Sequence, residues 1–379
     1  MSTSLLKQIQ KIQSQVDLLE QSLEIKVHQQ IYRIHSNSQK LLGLLEDYFH
    51  TLAQSQTSNI KHENLTEIHV YETDQLADLI AQTQWTDWKR EGGKVGRKDA
   101  ILDSEWNDQR LRLLYKVKTG MLFLQPGPDA HHQLIPLALG PAEANSSQII
   151  NFILTQHLNQ HLRLDWQLGH TSGMQIQQKG LAFAGLSGGG KSTLMLHLLA
   201  QAEHFISNDR LLLKRHNNRL MMRGIPKQPR INPGTIVHNP RLHSLMSERE
   251  RNEYLALPSE TLRAIEKKYD APVHYLYHKD CYLAESPLDA LFILNWQAHS
   301  SQPTSVSQVK ITERIDLLPA IMKSPGPFYA TAESGFLKNG APLVEANYLK
   351  LLQATTVYEI TGKIDFEAAQ QQILALFQT

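Results

Sequence analysis

Gly185-Leu186-Ser187-Gly188-Gly189-Gly190-Lys191-Ser192 fits the pattern G-x-x-x-x-G-K-[ST] and stands between an apolar run and a helical one. Leu181-Ala182-Phe183-Ala184 predicts a short buried strand before it, and Leu194-Met195-Leu196-His197-Leu198-Leu199 predicts the helix that begins near Lys191. Glycines let the backbone fold back so that successive N–H groups point inward. The helix N-terminus adds partial positive charge, so the loop suits a di- or triphosphate. Gly185, Ser187, Gly188, Gly189, Gly190 and Thr193 are the expected nucleotide cradle, with Lys191 on the β/γ-phosphates and Ser192 on Mg²⁺. A chance glycine-rich turn is the alternative, and the strand and helix patterns on either side argue against it.

Downstream of the loop, a helix from Lys191 to about residue 202 would run roughly 18 Å away from the phosphates. The strand Phe205-Ile206-Ser207-Asn208-Asp209 would return about 16 Å, which brings Asp209 back beside the loop. A carboxylate there can hold Mg²⁺ or accept the proton of an attacking hydroxyl; otherwise it is an ordinary aspartate at a strand end. Arg210 follows and is placed to pair with a carboxylate or a phosphate. Further on, Pro226, Pro229 and Pro233 stiffen a segment that carries Lys227 and Arg230. Arg230 is the candidate for stabilising transition-state charge and Lys227 for a second phosphate or substrate contact, against the plainer reading of a charged surface turn. Lys323 to Phe328 reads either as a second rigid phosphate-facing loop or as a proline-glycine turn.

A chain of 379 residues with 41% apolar residues can bury a sizeable core, and its length suggests two domains and something more. A net charge of +1 argues against a general nucleic-acid binder, which needs a clustered basic surface. The first residues lack a signal-peptide layout and no run approaches the roughly eighteen apolar residues of a membrane span, so a soluble cytoplasmic protein without a membrane partner is expected. Cys281 is alone and reads as core filler in a reducing compartment.

Leu5, Ile9, Ile12, Val16, Leu19 and Leu23 follow a 4-3-4-3-4 spacing that Val27, Ile31 and Ile34 resume after one extra step of four. That predicts a long helix with a heptad seam and a stutter over residues 1–54. Self-association into a homo-oligomer is the favoured reading over docking on the chain's own body. Ser55 to Asn59 reads as a linker and 60–147 as a small α+β region. There Arg110, Arg112, Lys116 and Lys118 alternate with Leu111, Leu113, Tyr115 and Val117 as one strand with a basic face, either solvated or turned to an acidic partner or to phosphates. Thr119-Gly120 then predicts a hairpin into Met121-Leu122-Phe123-Leu124. Gly92 to Asp99 reads as a flexible basic loop. Residues 148–379 alternate short apolar strands with helices, which makes an α/β nucleotide-binding domain.

The G-x-S-G-x-G-K-S form of the loop and the short step from Lys191 to Asp209 resemble HPr kinase/phosphorylase and its phosphoenolpyruvate-carboxykinase-like relatives. On that resemblance His170, fifteen residues before Gly185, matches a catalytic histidine of the family; a partly buried histidine satisfied by backbone groups is the alternative. The family's two aspartates followed by arginine appear as Asn208-Asp209-Arg210, so Asp209 takes the place of the catalytic base. Thr193 and Met221 replace acidic residues of the family, and the reverse, phosphorolytic activity is not carried over with them. The chain from about residue 90 also resembles the HPr-kinase-related kinase B family. The matching segments are Gly96-Arg97-Lys98-Asp99, Lys118-Thr119-Gly120-Met121, Gly188 to Thr193, Ser207-Asn208-Asp209-Arg210, Gly224-Ile225-Pro226-Lys227, Pro229 to Thr235, Lys268-Tyr269-Asp270 and Lys323 to Phe328. This resemblance implies a bacterial kinase that accompanies an ATP-grasp partner protein. The expected activity is ATP- and Mg²⁺-dependent phosphoryl transfer to a hydroxyl, on a protein substrate first. A small-metabolite kinase and an NTP switch signalling through the coil are the alternatives. An ABC-type ATPase is disfavoured, since Leu186-Ser187-Gly188-Gly189 lies inside the phosphate loop and no separate LSGGQ segment exists.

Overall fold

The computed structural model describes residues 2–50, 65–88, 99–128, 134–186, 189–265, 267–277, 281–297 and 299–377. They form a mixed α/β protein of two compact units, Met1–Leu164 with Pro325–Pro342 and Asp165–Ser324 with Leu343–Thr379. The linker read at 55–59 and the basic loop at 92–98 lie outside the described residues. Among the described residues, no helix is long and apolar enough to cross a membrane.

The first unit is built on an eight-stranded sheet in the order Ser22–Val27, Gln30–Ser36, Leu65–Glu72, Leu137–Gly140, Met121–Pro126, Gln109–Lys116, Asp99–Trp106, Thr86–Trp88. The long helix expected over 1–54 does not form: helix Ser2–Gln15 stops, and Ser22–Val27 pairs antiparallel with Gln30–Ser36 around a turn at His28. The reason is a coincidence of periods. Steps of four from Leu23 to Val27 to Ile31 satisfy a two-residue alternation as well as a heptad, and Ile25, between them, is 1% exposed. Ile25, Val27, Ile31 and Ile34 are β-branched and favour the pleated surface. His28 takes the left-handed conformation, φ 56°, that the tight turn uses. Leu5, Leu6, Ile9 and Ile12 share one core with Leu111, Leu113, Leu122, Leu124 and Leu139. The apolar stripe is therefore covered by its own unit, which is the docking alternative and not the seam between chains.

The expected hairpin forms, Gln109–Lys116 pairing antiparallel with Met121–Pro126. Its basic face is only partly covered: Lys118 is exposed, whereas Arg112 is not free for a partner. Arg112 is 1% exposed. Its Nε and Nη2 donate to Asp103 at 2.5 and 2.7 Å, and Nη1 donates to the carbonyls of Pro327 and Leu337, each at 2.8 Å. Lys116 Nζ is 2.8 Å from Asp99, and Arg110 reaches the Ala332 carbonyl at 2.9 Å. A desolvated guanidinium needs such a full set of acceptors, and the returning segment 325–342 supplies two of the four.

The second unit carries a six-stranded sheet in the order His204–Ser207, Thr171–Ile176, Lys179–Gly185, Ala290–Leu294, Thr356–Thr361, Ser305–Val309. Lys179–Gly185 is parallel to Ala290–Leu294, and that strand to Thr356–Thr361; the other neighbours are antiparallel. Successive residues face opposite cores. Leu181, Phe183, Phe292 and Leu294 join one cluster with Leu194, Leu198 and Ile373 from helices Lys191–Leu198 and Phe366–Ala375. Ala182, Ala184, Leu291 and Ile293 join another with Tyr348 and Leu352 of helix Glu345–Leu352. The register sets Gly185 beside Leu294 and Leu294 beside Ile360, so the parallel strands end together. Among the described residues that follow them, Gly189 and Gly190, Trp296 and the start of helix Phe366–Ala375 gather at one end of the sheet, where open α/β sheets hold their ligands.

Candidate functional site

The described residues of the glycine-rich 185–192 sequence lie at that end. Gly185 closes its strand, Leu186 is 61% exposed, and Gly190 caps helix Lys191–Leu198 at φ 85°. Ser187 and Gly188, two of the expected cradle residues, lie outside the described residues. A side chain at Gly190 would be strained at this φ, and its Cβ would sit 2.9 Å from the Phe366 ring. Trp296 donates its indole N–H to the Gly189 carbonyl at 2.8 Å and meets Phe366 edge-on at 5.0 Å between ring centres. The Gly189 N–H donates to the Leu186 carbonyl at 2.9 Å. Two aromatic side chains and a short turn thus hold the glycines against the helix start. Its first-turn N–H groups have no acceptor within the helix.

Lys191 is 8% exposed and points toward the strand at the sheet's edge. Strand His204–Ser207 returns antiparallel to Thr171–Ile176, and Asp209 follows it at 3.7 Å from Lys191 Nζ. His170 stands between strands Gln167–Gly169 and Thr171–Ile176, with Nε2 3.2 Å from Asp209 Oδ1. The Lys191 ammonium also donates to the His170 carbonyl at 3.3 Å. Lys323 completes the group, its Nζ 2.9 Å from Asp209 Oδ2, while Arg210 Nε lies 3.7 Å from the same oxygen. Lys323 is placed by backbone: the His170 N–H donates to the Ile321 carbonyl at 2.6 Å, Gly169 bridges Met322, and the Lys323 N–H donates to the buried Tyr348 hydroxyl at 3.2 Å.

The charges set one another. Burial pushes the Asp209 carboxyl up, but the His170 hydrogen bond and the charges of Lys323, Lys191 and Arg210 outweigh it and hold Asp209 well below the usual carboxylate range. Asp209 raises His170, yet burial and the charges of Lys191 and Lys323 prevail, so the imidazole lies below its ordinary value. A neutral His170 donates Nε2–H to the carboxylate. Burial brings Lys191 down to about 8, with Asp209 opposing and Lys323 adding to the fall. Lys227 is also brought down to about 8, by burial first and then by Arg210, with Arg230 and Lys323 contributing.

His170, Lys191, Asp209 and Arg210 are therefore brought together, and Lys227 lies within electrostatic reach of Asp209, Arg210 and Arg230. Gly224 makes this approach: its Cβ would meet the Ile206 carbonyl at 2.1 Å, so only glycine lets Ile225 and Lys227 follow so closely. Arg230, expected on the transferring group, pairs its Nε with Asp270 at 3.2 Å, because Arg230–Ile231 forms a short ladder with Tyr269–Asp270. Thr193 hydrogen-bonds Thr235 through their hydroxyls at 2.8 Å. Asn208 is 8% exposed and its Oδ1 has no hydrogen-bond partner. Sequence reasoning missed Lys323 as the partner of Asp209 and missed Trp296 and Phe366 entirely. The proline-bracketed segment starting at Lys323 was the one available signal.

No protein-family model matches the chain, and no curated protein matches it. Among solved structures, the Hpr(Ser) kinase/phosphatase from Coxiella burnetii is similar over 55% of this chain and 98% of its own, at 12% identity and a TM-score of 0.28. A likeness of that order fixes neither the fold nor an activity.

Proposed function

We propose that this chain is an ATP-dependent kinase that transfers the γ-phosphoryl group to a hydroxyl, with a partner protein as the first acceptor class. The observation that carries this reading is the 3.7 Å approach of Asp209 to Lys191 at the end of a glycine loop, with His170 and Lys323 closing on the same carboxylate. Lys191, Lys227, Lys323, Arg210 and Arg230 outnumber the nearby carboxylates Asp209 and Asp270, which suits a polyanionic substrate. The glycine loop and the helix start receive the phosphates, and Lys191 turns from Asp209 to the β/γ-oxygens. Ser192 and Asp209 are the residues that would hold Mg²⁺, which would neutralise charge on the γ-phosphate; the orphaned Oδ1 of Asn208, next to Asp209 in the chain, fits a hard cation with its water shell.

In the transfer, the acceptor oxygen bonds to the γ-phosphorus, the bond from that phosphorus to the bridging oxygen breaks, and ADP leaves. The hydroxyl proton passes to Asp209. A carboxylate held this low stays ionised at neutral pH and takes the proton late, once the forming bond has made the hydroxyl acidic. The alternative of a switch signalling through a coiled coil loses its coil, since Ser22–Val27 and Gln30–Ser36 are strands.

The test is phosphoryl transfer from γ-labelled ATP with Mg²⁺ to the proteins of a cell lysate, wild type against Asp209→Asn. The variant should bind ATP within a few-fold of wild type and lose label transfer by about 10²-fold or more. Transfer at the wild-type rate in the variant removes Asp209 from the chemistry. ATP hydrolysis without any labelled acceptor favours the NTP switch over the kinase.

A further inference from the structure

The first unit holds a second group of chemically active side chains, unrelated to the phosphate loop. Strands Gln30–Ser36 and Leu65–Glu72 are parallel neighbours in a register that sets His35 beside His69 and Arg33 beside Glu67. Side chains two apart share a face of a strand, so His35, Glu67 and His69 lie on one face, while Ile34, Ile68 and Val70, each 0% exposed, fill the other. One ligand atom from each of the three lies within 4.8 Å of the others. His35 Nε2 is 3.8 Å from Glu67 Oε1, and the two imidazoles meet edge-on at 5.2 Å between ring centres.

His35 Nε2 is buried and has no hydrogen-bond partner. An orphaned imidazole nitrogen aimed at a carboxylate and beside a second imidazole is costly in an apoprotein, and a coordinated cation relieves it. We propose that His35, Glu67 and His69 bind a divalent late first-row metal ion, Zn²⁺ above the others, with water completing the coordination. Two imidazole nitrogens and one carboxylate oxygen are a donor set for zinc, whereas Mg²⁺ and Ca²⁺ take oxygen ligands. The competing contact is weak. Arg33 Nη1 approaches Glu67 Oε1 at 3.4 Å, but Arg33 is anchored on Glu24 by bonds of 2.7 and 2.9 Å and keeps that partner when the metal takes Glu67. The ion joins two adjacent parallel strands and stabilises the first unit independently of nucleotide.

The experiment is calorimetric titration of the nucleotide-free full chain with ZnCl₂, together with Co²⁺ as a spectroscopic probe. One equivalent should bind with a Kd of about 1 µM or tighter, Co²⁺ should give the visible absorption of a four- or five-coordinate site, and bound Zn²⁺ should raise the Tm. His35→Gln with His69→Gln should remove that equivalent, and Glu67→Gln should weaken it at least about tenfold. Lys191→Ala should leave it intact, which separates this site from the nucleotide loop. Wild-type affinity in a folded H35Q/H69Q protein, or the absence of any saturable Zn²⁺ binding and Co²⁺ band in wild type, overturns the proposal. If H35Q/H69Q does not fold, E67Q and the wild-type Co²⁺ spectrum decide it.

Discussion

Lys323 Nζ stands 2.9 Å from Asp209 Oδ2 across a separation of 114 residues, while Asp209 Oδ1 faces His170 and Lys191. One carboxylate thus answers donors from three separate parts of the chain. On the proposed function, in which Lys191 turns to a phosphate, Lys323 is the charge left to keep Asp209 ionised.

Replacing Lys323 by Met removes one of the charges that depress Asp209, so the carboxyl moves up toward its ordinary value. The sign follows from the direction of the shift: an ionised Asp209 is maintained above its depressed pKa and lost as pH falls through it. The acid limb of kcat/KM for phosphoryl transfer should therefore move to higher pH in Lys323→Met, modestly, because the Asp209 side chain is 47% exposed and solvent screens the pair. An acid limb that does not move means that Asp209 does not titrate in that step.

Lys191 at about 8 is half-deprotonated in mildly alkaline solution, and phosphate oxygens bound there, as the proposed function requires, should restore its charge. Binding of Mg·ATP at pH 8.5 should take up protons, read as a dependence of the calorimetric enthalpy on the ionisation enthalpy of the buffer. Lys191→Met should remove most of that uptake and weaken ATP binding by roughly 10- to 100-fold. In the absence of nucleotide the same burial makes stability rise with pH between about 8 and the ordinary lysine range, since the unfolded chain binds the extra proton there. Equal enthalpies in all buffers contradict a cationic Lys191 on the phosphates.

Gly190→Ala places a side chain at φ 85° and drives its Cβ into the Phe366 ring. The backbone strain alone costs about 1–2 kcal/mol, so the Tm should fall by a few degrees and ATP affinity with it. Combining Gly190→Ala with Phe366→Leu relieves the ring contact and leaves the strain, so scanning calorimetry should show only partial recovery. Full recovery assigns the whole cost to Phe366.

Deleting residues 2–15 uncovers the face built by Leu111, Leu113, Leu122 and Leu124. The truncated chain should bind a hydrophobic dye and aggregate. The milder Ile9→Ala, at a side chain 2% exposed, should lower stability in urea by about 2–4 kcal/mol. A truncated protein that stays soluble and cooperative with a smaller subunit number shows instead that the stripe joins chains.

The phosphate-loop strand, the helix from Lys191 and the return of Asp209 were legible in the sequence because each rests on a short, local pattern. Three glycines before a lysine, the apolar run Leu181 to Ala184, and the lengths of one helix and one strand were enough. The stretch from Leu23 to Ile34 was misread for the same reason: a spacing of four satisfies a helix and a strand alike, and only pairing with Leu65–Glu72 and burial of Ile25 separate them. The fate of charged groups was not legible at all. Whether Arg112 meets water or the carbonyls of Pro327 and Leu337, whether Arg230 meets a phosphate or Asp270, and which cation closes on Asp209 depend on chain segments far apart in sequence. Local sequence determined which groups could bind phosphate. Tertiary structure decided which of them face one another, because the energy of a charge depends on what surrounds it in space and not on its neighbours in the chain.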